Sequence, residues 1–211
     1  MFIFLASHVQ AADELTFLKN EAKWLYANNP QIAELIEERQ FIFAYIAYRI
    51  HGKTKSVLLI DYDKPSLEER AYAISMDTLE VVQTSVVSHG RNTGQLYAKN
   101  FSNINGSKQT SLGVFLMGDH RHKYFPKGTK LNYPNALVMK GMSGELNDQA
   151  VNRAIIAHQA WYVKPMGGRL GRSEGCPAFP LGEEGKAMLE FVRNGGIIMS
   201  YSNTLDITDI L

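Results

Sequence analysis

The chain has 211 residues, 45% of them hydrophobic and 20% charged, a length that predicts one domain with a sizeable core. Its 22 basic and 21 acidic residues give a formal net charge of +1, which excludes the strongly basic character of a nucleic-acid-binding domain. The single cysteine, Cys176, excludes an intramolecular disulfide.

The N-terminus carries a short apolar run, residues 2–6, followed by a small-residue cleavage motif, Val9-Gln10-Ala11. We interpret residues 1–11 as a secretory signal truncated at its start, because no Lys or Arg precedes the apolar run. The predicted location is therefore periplasmic or otherwise extracytoplasmic. The alternative is a buried N-terminal strand. No other segment reaches the ~18 apolar residues that span a bilayer, so no membrane span is expected after cleavage.

Residues 12–53 have the pattern of a helical segment. Apolar residues recur at steps of three and four within residues 14–28, which predicts a first helix. Asn29 as N-cap and Pro30 in the first turn predict a second helix of about 20 residues, which Gly52 ends. We expect these helices to pack against the rest of the chain.

Residues 54–211 change to short extended runs separated by Gly, Asn and Pro turns, a pattern typical of a sandwich or a partly closed barrel. The predicted fold class is therefore mainly β with helices, α+β. The pattern predicts one helix over residues 182–192 and strands over residues 57–62, 71–76, 80–87, 112–117, 136–140, 155–158 and 196–201.

Cys176 lies in a loop that starts at Gly171, eighteen positions after His158. A lone cysteine is either a small buried hydrophobe or a reactive thiol. Polar residues 172–174 precede it and Pro177 follows, which is typical of an exposed turn. The local sequence leaves the structural and nucleophilic interpretations about equally supported.

Several ordered motifs resemble one enzyme family. His158-Gln159 with Ser173-Glu174-Gly175-Cys176 is similar to the His … Ser-x-Gly-Cys signature of the YkuD-type L,D-transpeptidases. Residues 110–115 resemble the Thr-Pro-x-Gly-x-Phe strand of that family. The wider likeness, to the murein L,D-transpeptidase catalytic-domain branch, runs from about residue 58 to residue 201 and includes residues 88–90, 101–103, 106–113 and 171–177.

The resemblance implies a β-sandwich with its active site in a groove at one end. Cys176 would be the nucleophile, His158 the general acid/base held by a backbone carbonyl, and Ser173 a support of the loop. The backbone N–H groups near Gly175 would bind the oxyanion, because glycine allows close approach. No cofactor or metal is implied.

The implied partners are peptidoglycan stem peptides, and we expect a monomer. The enzyme would form a thioester with a tetrapeptide stem, then make 3-3 cross-links or exchange the terminal D-amino acid. Two alternatives remain: an L,D-carboxypeptidase or endopeptidase that hydrolyses the same stems, and a murein-binding module without catalysis.

Two positions depart from the common family pattern. Glu174 stands where many members have His, and its charge would raise the pKa of Cys176 unless it points away or pairs with Arg172. Ala178 stands where many members have Arg or Asn. Arg153 and Arg172 are our candidates for binding a substrate carboxylate, with Arg169 as a further alternative.

His89 and His120 are predicted on the groove wall, where they would contact substrate; two solvated loop histidines are the alternative. The run Asp119-His120-Arg121-His122 also permits a metal site, since residues i and i+2 of a strand face the same side. We disfavour a metal because the sequence shows no third ligand cluster with typical spacing.

Overall fold

A computed structural model describes residues 2–120, 133 and 135–211, including the side chains from residue 12 onward except that of His120. Its first helix, α1, spans Phe2–Ala27. Residues 2–11 are thus helical, which contradicts the alternative of an N-terminal strand. Within the described residues, no helix combines the length and apolar character needed to cross a membrane.

The predicted second helix is two helices, α2 at Pro30–Leu35 and α3 at Glu38–His51. Asn29 caps α2 by accepting from the N–H of Ile32 at 3.0 Å. Gln40 lies at this break: its Oε1 accepts from the N–H of Glu37 at 3.3 Å and its Nε2 donates to Asp61 at 2.8 Å. One buried amide therefore caps α3 and ties it to the first strand.

Eight strands form one sheet in the order β3-β2-β1-β8-β4-β5-β6-β7. The pairs β1–β8 and β6–β7 are parallel, and the others are antiparallel. The strands are β1 Ser56–Asp61, β2 Ala71–Ser75, β3 Glu80–Ser85, β4 Gly113–His120, β5 Leu137–Gly141, β6 Ile156–Gln159, β7 Ala178–Phe179 and β8 Ile197–Tyr201.

The core lies on both faces of the middle of this sheet. Every residue of β8 and all but the first of β1 are buried, which requires a layer on each face. Helix α3 packs against β1 and β8, and α4, at Glu183–Val192, packs against β1, β3 and β6. The α+β class predicted from the sequence is confirmed.

Candidate active site

The parallel pairing of β6 and β7 brings His158 beside the cysteine loop. His158 pairs with Ala178, and its N–H donates to the carbonyl of Pro177 at 3.3 Å. The Sγ of Cys176 accepts from the N–H of Ile156 at 3.5 Å. The half-buried thiol therefore lies against β6, two positions before His158, and an N–H directed at sulfur favours the thiolate.

The imidazole of His158 is buried and held in one tautomer. Its Nδ1 lies 3.0 Å from the carbonyl oxygen of Gln159. A carbonyl can only accept, so this hydrogen bond assigns the proton to Nδ1 and leaves Nε2 as the acceptor of the neutral ring. The ring of Tyr133 packs on it at a centroid distance of 4.0 Å, and that of Tyr162 lies edge-on at 6.4 Å.

Ser173 ties the cysteine loop to itself. Its Oγ donates to the carbonyl of Cys176 at 2.6 Å and accepts from the N–H of Gly175 at 3.1 Å. The Gly175 N–H, predicted as an oxyanion donor, is thus engaged inside the loop. Gly175 has φ +130°, and a Cβ there would lie 2.9 Å from the carbonyl oxygen of Gln109, so only glycine fits without strain.

The segment 87–91 runs alongside the cysteine loop and pairs with both of its ends. The N–H of Ser88 donates to the carbonyl of Ala178 at 2.8 Å, and the N–H of Ser173 donates to the carbonyl of His89 at 3.0 Å. The N–H of Arg91 then donates to the carbonyl of Ser173 at 2.8 Å. The position of this segment therefore sets the position of the loop.

Arg70 holds the segment 87–91 from the buried side. Its fully buried guanidinium donates to the carbonyl of Val87 at 2.8 Å, to the carbonyl of Lys64 at 2.9 Å and to Nδ1 of His89 at 2.8 Å. We call Arg70 and His89 the buried brace. The sequence analysis did not identify Arg70, which follows Glu68 and Glu69 in a run that looks exposed.

The buried brace corrects the prediction for His89. This side chain is 1% exposed, so it does not lie on a groove wall where a substrate could reach it. Burial, and to a lesser extent the charge of Arg70, lower the pKa of His89 to about 4. Burial also lowers the pKa of Arg70 to about 10.

Arg153 joins the loops that resemble the family motifs. Its Nη1 donates to the carbonyl of Ser102 at 2.7 Å and to Ser111 Oγ at 2.5 Å, and its Nη2 donates to the carbonyl of Gln109 at 2.7 Å. Nη2 also lies 3.3 Å from the place of a Cβ on Gly175. These contacts occupy the guanidinium that we predicted to bind a substrate carboxylate.

The charge of Arg153 also acts on the thiol. Burial lowers the pKa of Arg153, and a negative charge on Cys176 opposes that shift. Such an interaction is mutual, so the guanidinium favours the thiolate of Cys176. The site therefore already contains a cation near the sulfur.

Glu174 neither stands alone nor pairs with Arg172. Its carboxylate lies 3.1 Å from Nε of Arg91 and 3.3 Å from Nζ of Lys108. Arg172 instead donates to the carbonyls of Arg91 at 2.7 Å and Gly94 at 2.9 Å. The charge expected to oppose the thiolate is thus neutralised by two cations absent from the sequence prediction.

The remaining predicted residues give less information. Arg169 donates to Oε1 of Gln95 at 2.8 Å. The side chain of His120, and Arg121 and His122 altogether, lie outside the described residues. In the part of the chain that is described, no three His, Cys, Asp or Glu side chains are grouped so that they could hold a metal ion.

Comparison with known proteins gives one family match. The model of the YkuD_2 family, the L,D-transpeptidase catalytic domain, matches residues 28–201. No curated protein matches. The family assignment rests on this match.

Solved structures of similar proteins are distant. An L,D-transpeptidase from Mycobacterium smegmatis is 15% identical with a TM-score of 0.43, and the match covers 70% of this chain and 59% of that one. The helical cell shape determining protein Pgp2 from Campylobacter jejuni is 15% identical with a TM-score of 0.40, covering 79% and 57%. The chain thus spans less than two thirds of the length of both proteins.

Proposed function

Because this chain belongs to the L,D-transpeptidase catalytic domain family, we propose that it is a cysteine-dependent peptidoglycan L,D-transpeptidase that acts on tetrapeptide stems. One observation carries the proposal: the Cys176 sulfur accepts from the N–H of Ile156 on strand β6, two positions before the buried His158, whose imidazole tautomer is set by the Gln159 carbonyl. A nucleophile beside an oriented base is the arrangement that acyl transfer needs.

The first half-reaction transfers the acyl group to sulfur. Nε2 of His158 takes the thiol proton, and the thiolate of Cys176 attacks the carbonyl carbon of the third stem residue. The tetrahedral intermediate then expels the amine of the terminal D-alanine, which receives the proton from His158. The products are a thioester on Cys176 and free D-alanine.

The second half-reaction resolves the thioester. An amine of a second stem, or a free D-amino acid, attacks the thioester carbonyl while His158 accepts a proton from that amine. The sulfur leaves as thiolate and recovers the proton. The product is a 3-3 cross-link or an exchanged stem, and water in place of the amine gives hydrolysis.

Stabilisation of the two negatively charged species comes from this chain's own groups. The N–H of Ile156 and the charge of Arg153 favour the thiolate. We assign the oxyanion to the backbone N–H groups of Gly175 and Cys176. For Gly175 this requires its N–H to turn from Ser173 Oγ toward the substrate, because the two are hydrogen bonded in this structure.

We also propose that the protein works outside the cytoplasm, where its peptidoglycan substrate lies. The apolar run in residues 2–6 and the Val9-Gln10-Ala11 motif support export by a cleaved signal. Mass analysis of the protein from the periplasmic fraction of expressing cells should give a mature N-terminus near Ala12. An intact Met1 in that fraction would contradict the cleavage.

The direct test is turnover of defined tetrapeptide muropeptides, with products read by mass spectrometry. We expect cross-linked dimers, and we expect Cys176→Ala and His158→Gln to form none. Tripeptides alone would replace the transferase by a hydrolase that uses the same residues. Retained binding without any turnover would overturn both enzymatic functions in favour of a murein-binding module.

A further inference from the structure

Three backbone segments meet in direct contact beside the cysteine. A Cβ on Gly90 would lie 2.5 Å from the carbonyl oxygen of Lys108 and 3.0 Å from Cα of Gly175. The residues next to these contacts carry the side chains of Arg91, Lys108 and Glu174, which we call the charged rim. The charged rim therefore stands on the same backbone junction that holds the cysteine loop.

The charged rim places two cations on one carboxylate at the protein surface. Glu174 directs one oxygen to Nε of Arg91 and the other to Nζ of Lys108, at 3.1 and 3.3 Å. The three side chains are 45%, 40% and 62% exposed for Arg91, Lys108 and Glu174 respectively. Exposed ion pairs contribute at most ~1 kcal/mol, so another anion can displace Glu174.

Further cations surround this position. Burial lowers the pKa of Arg172, and the nearby charges of Arg169 and Arg91 lower it further. Arg91, Lys108, Arg169 and Arg172 therefore place four cations around the single carboxylate of Glu174. Such a surface attracts carboxylates and concentrates them near the thiol.

The charged rim is also close to the reacting groups. Glu174 is two residues from Cys176 in the chain. The ring of Tyr162 packs edge-on to that of His158. Burial raises the pKa of Tyr162, and negative charge on Cys176 and on Glu174 raises it further. A ligand carboxylate that replaces Glu174 at the charged rim would therefore bind at the cysteine loop, two residues from the nucleophile.

We propose that Arg91 and Lys108 form a carboxylate-binding site at the mouth of the active site, and that Glu174 occupies this site until a ligand carboxylate displaces it. The identity of the ligand as a stem peptide rests on the proposed function, since tetrapeptide stems bear free carboxylates. The site itself does not depend on it. Because two cations already neutralise the carboxylate of Glu174, that carboxylate is a poor binding site for the amine of an acceptor stem.

The single cysteine allows a test that needs no turnover. Iodoacetate and iodoacetamide alkylate the same sulfur, but only iodoacetate carries a carboxylate. The ratio of their rates on the full chain, measured at one pH by mass spectrometry, cancels any change in the thiolate fraction or exposure of Cys176. The ratio therefore reports only how strongly the site attracts the carboxylate of iodoacetate.

We expect Glu174→Gln to raise the iodoacetate-to-iodoacetamide ratio about threefold, because the internal occupant no longer competes. Arg91→Gln and Lys108→Gln should each lower the ratio by a similar factor, and 1 M NaCl should reduce all these differences. Lys186→Gln is the matched control, since Lys186 is 47% exposed in an ion pair with Glu183. An unchanged ratio in all three rim variants would overturn the proposal.

A second arm uses tetrapeptide muropeptides and their carboxamide forms. We expect Arg91→Gln to raise KM for the carboxylate form several-fold at little cost in kcat, and to leave KM for the amide form unchanged. A shifted alkylation ratio without turnover would refute the proposed function and retain the carboxylate site. Turnover with equal KM for both forms in every rim variant would refute the carboxylate site and retain the function.

Discussion

Two groups of side chains, one buried and one exposed, adjoin the short segment of residues 87–91. The buried brace, Arg70 with His89, contacts this segment from the interior, where Arg70 is fully buried. The charged rim is fixed to its other end through Arg91 and is exposed to solvent. Both sets border the cysteine loop. Because one is buried and the other is exposed, they have different roles.

Because Arg70 is buried, its charge stabilises the fold and is not available to a ligand. A buried cation without its hydrogen bonds costs several kcal/mol, and Arg70 meets this cost with carbonyl oxygens, a histidine nitrogen and the face of Tyr62 at 5.1 Å. Water screens the charged rim, so its ion pairs stabilise the fold little but remain available to a ligand. The same chemistry thus fixes the loop on one side and attracts anions on the other.

The largest predicted effect comes from breaking the buried brace. Arg70→Met removes the donors to the carbonyls of Val87 and Lys64 and to His89 Nδ1, and should lower the free energy of unfolding by about 3–5 kcal/mol. Urea denaturation measures this value, with Arg91→Met as the exposed control at less than about 0.5 kcal/mol. Equal losses in the two variants would erase the distinction between the two regions.

The pH dependence of stability tests the same region. His89 has a folded pKa of about 4 against an ordinary 6.5, so the unfolded chain binds this proton more readily. The contribution of neutral His89 to the free energy of unfolding is complete above pH 6.5 and is lost as pH falls toward 4, by about 3 kcal/mol in total. His89→Gln should flatten the curve in this window. His51→Gln serves as the control and should keep it.

A smaller effect is expected at the junction between the two regions. Gly90→Ala puts a Cβ 2.5 Å from the Lys108 carbonyl, so the segments must separate, at a cost of about 1–3 kcal/mol. Gly118→Ala, on β4, meets its nearest atoms at 3.5 Å and should be nearly neutral. Thermal unfolding compares the two. Slower alkylation of Cys176 in Gly90→Ala alone would show that the separation reaches the loop.

The smallest effect belongs to the charged rim. Glu174→Gln should change the free energy of unfolding by less than about 0.5 kcal/mol, although it changes the alkylation ratio of Cys176. Calorimetric melting at low and high salt measures the stability. A loss above 2 kcal/mol would mean that the charged rim stabilises the fold as the buried brace does.

Local patterns predicted the elements that carry the reactive side chains. The apolar run before His158 predicted a buried strand, and β6 begins at Ile156. The turn-rich sequence around Cys176 predicted an exposed turn; the loop is present, with Gly175 at φ +130°, but Ser173, Gly175 and Pro177 are buried. Both features depend on residues adjacent in the chain, so sequence periodicity and turn chemistry were sufficient.

Contacts between residues that are far apart in the chain could not be predicted from the sequence. Arg70 lies among Glu68 and Glu69, and only the fold buries it against Val87 and His89. The Gln40–Asp61 hydrogen bond, which accompanies the break between α2 and α3, likewise depends on tertiary packing. The ion pairs of Glu174 are a further case. The sequence indicated Arg172 as a possible partner, whereas in the folded chain Glu174 pairs with Arg91 and Lys108.

The position of β8 has a consequence for biosynthesis. This strand, Ile197–Tyr201, is near the C-terminal end of the chain but lies between β1 and β4 in the middle of the sheet. A nascent chain still holding it in the ribosome leaves both neighbours with an open edge, and such long-range pairing forms slowly. The β1–β2–β3 meander can therefore join β4 only after β8 has been made and inserted between them.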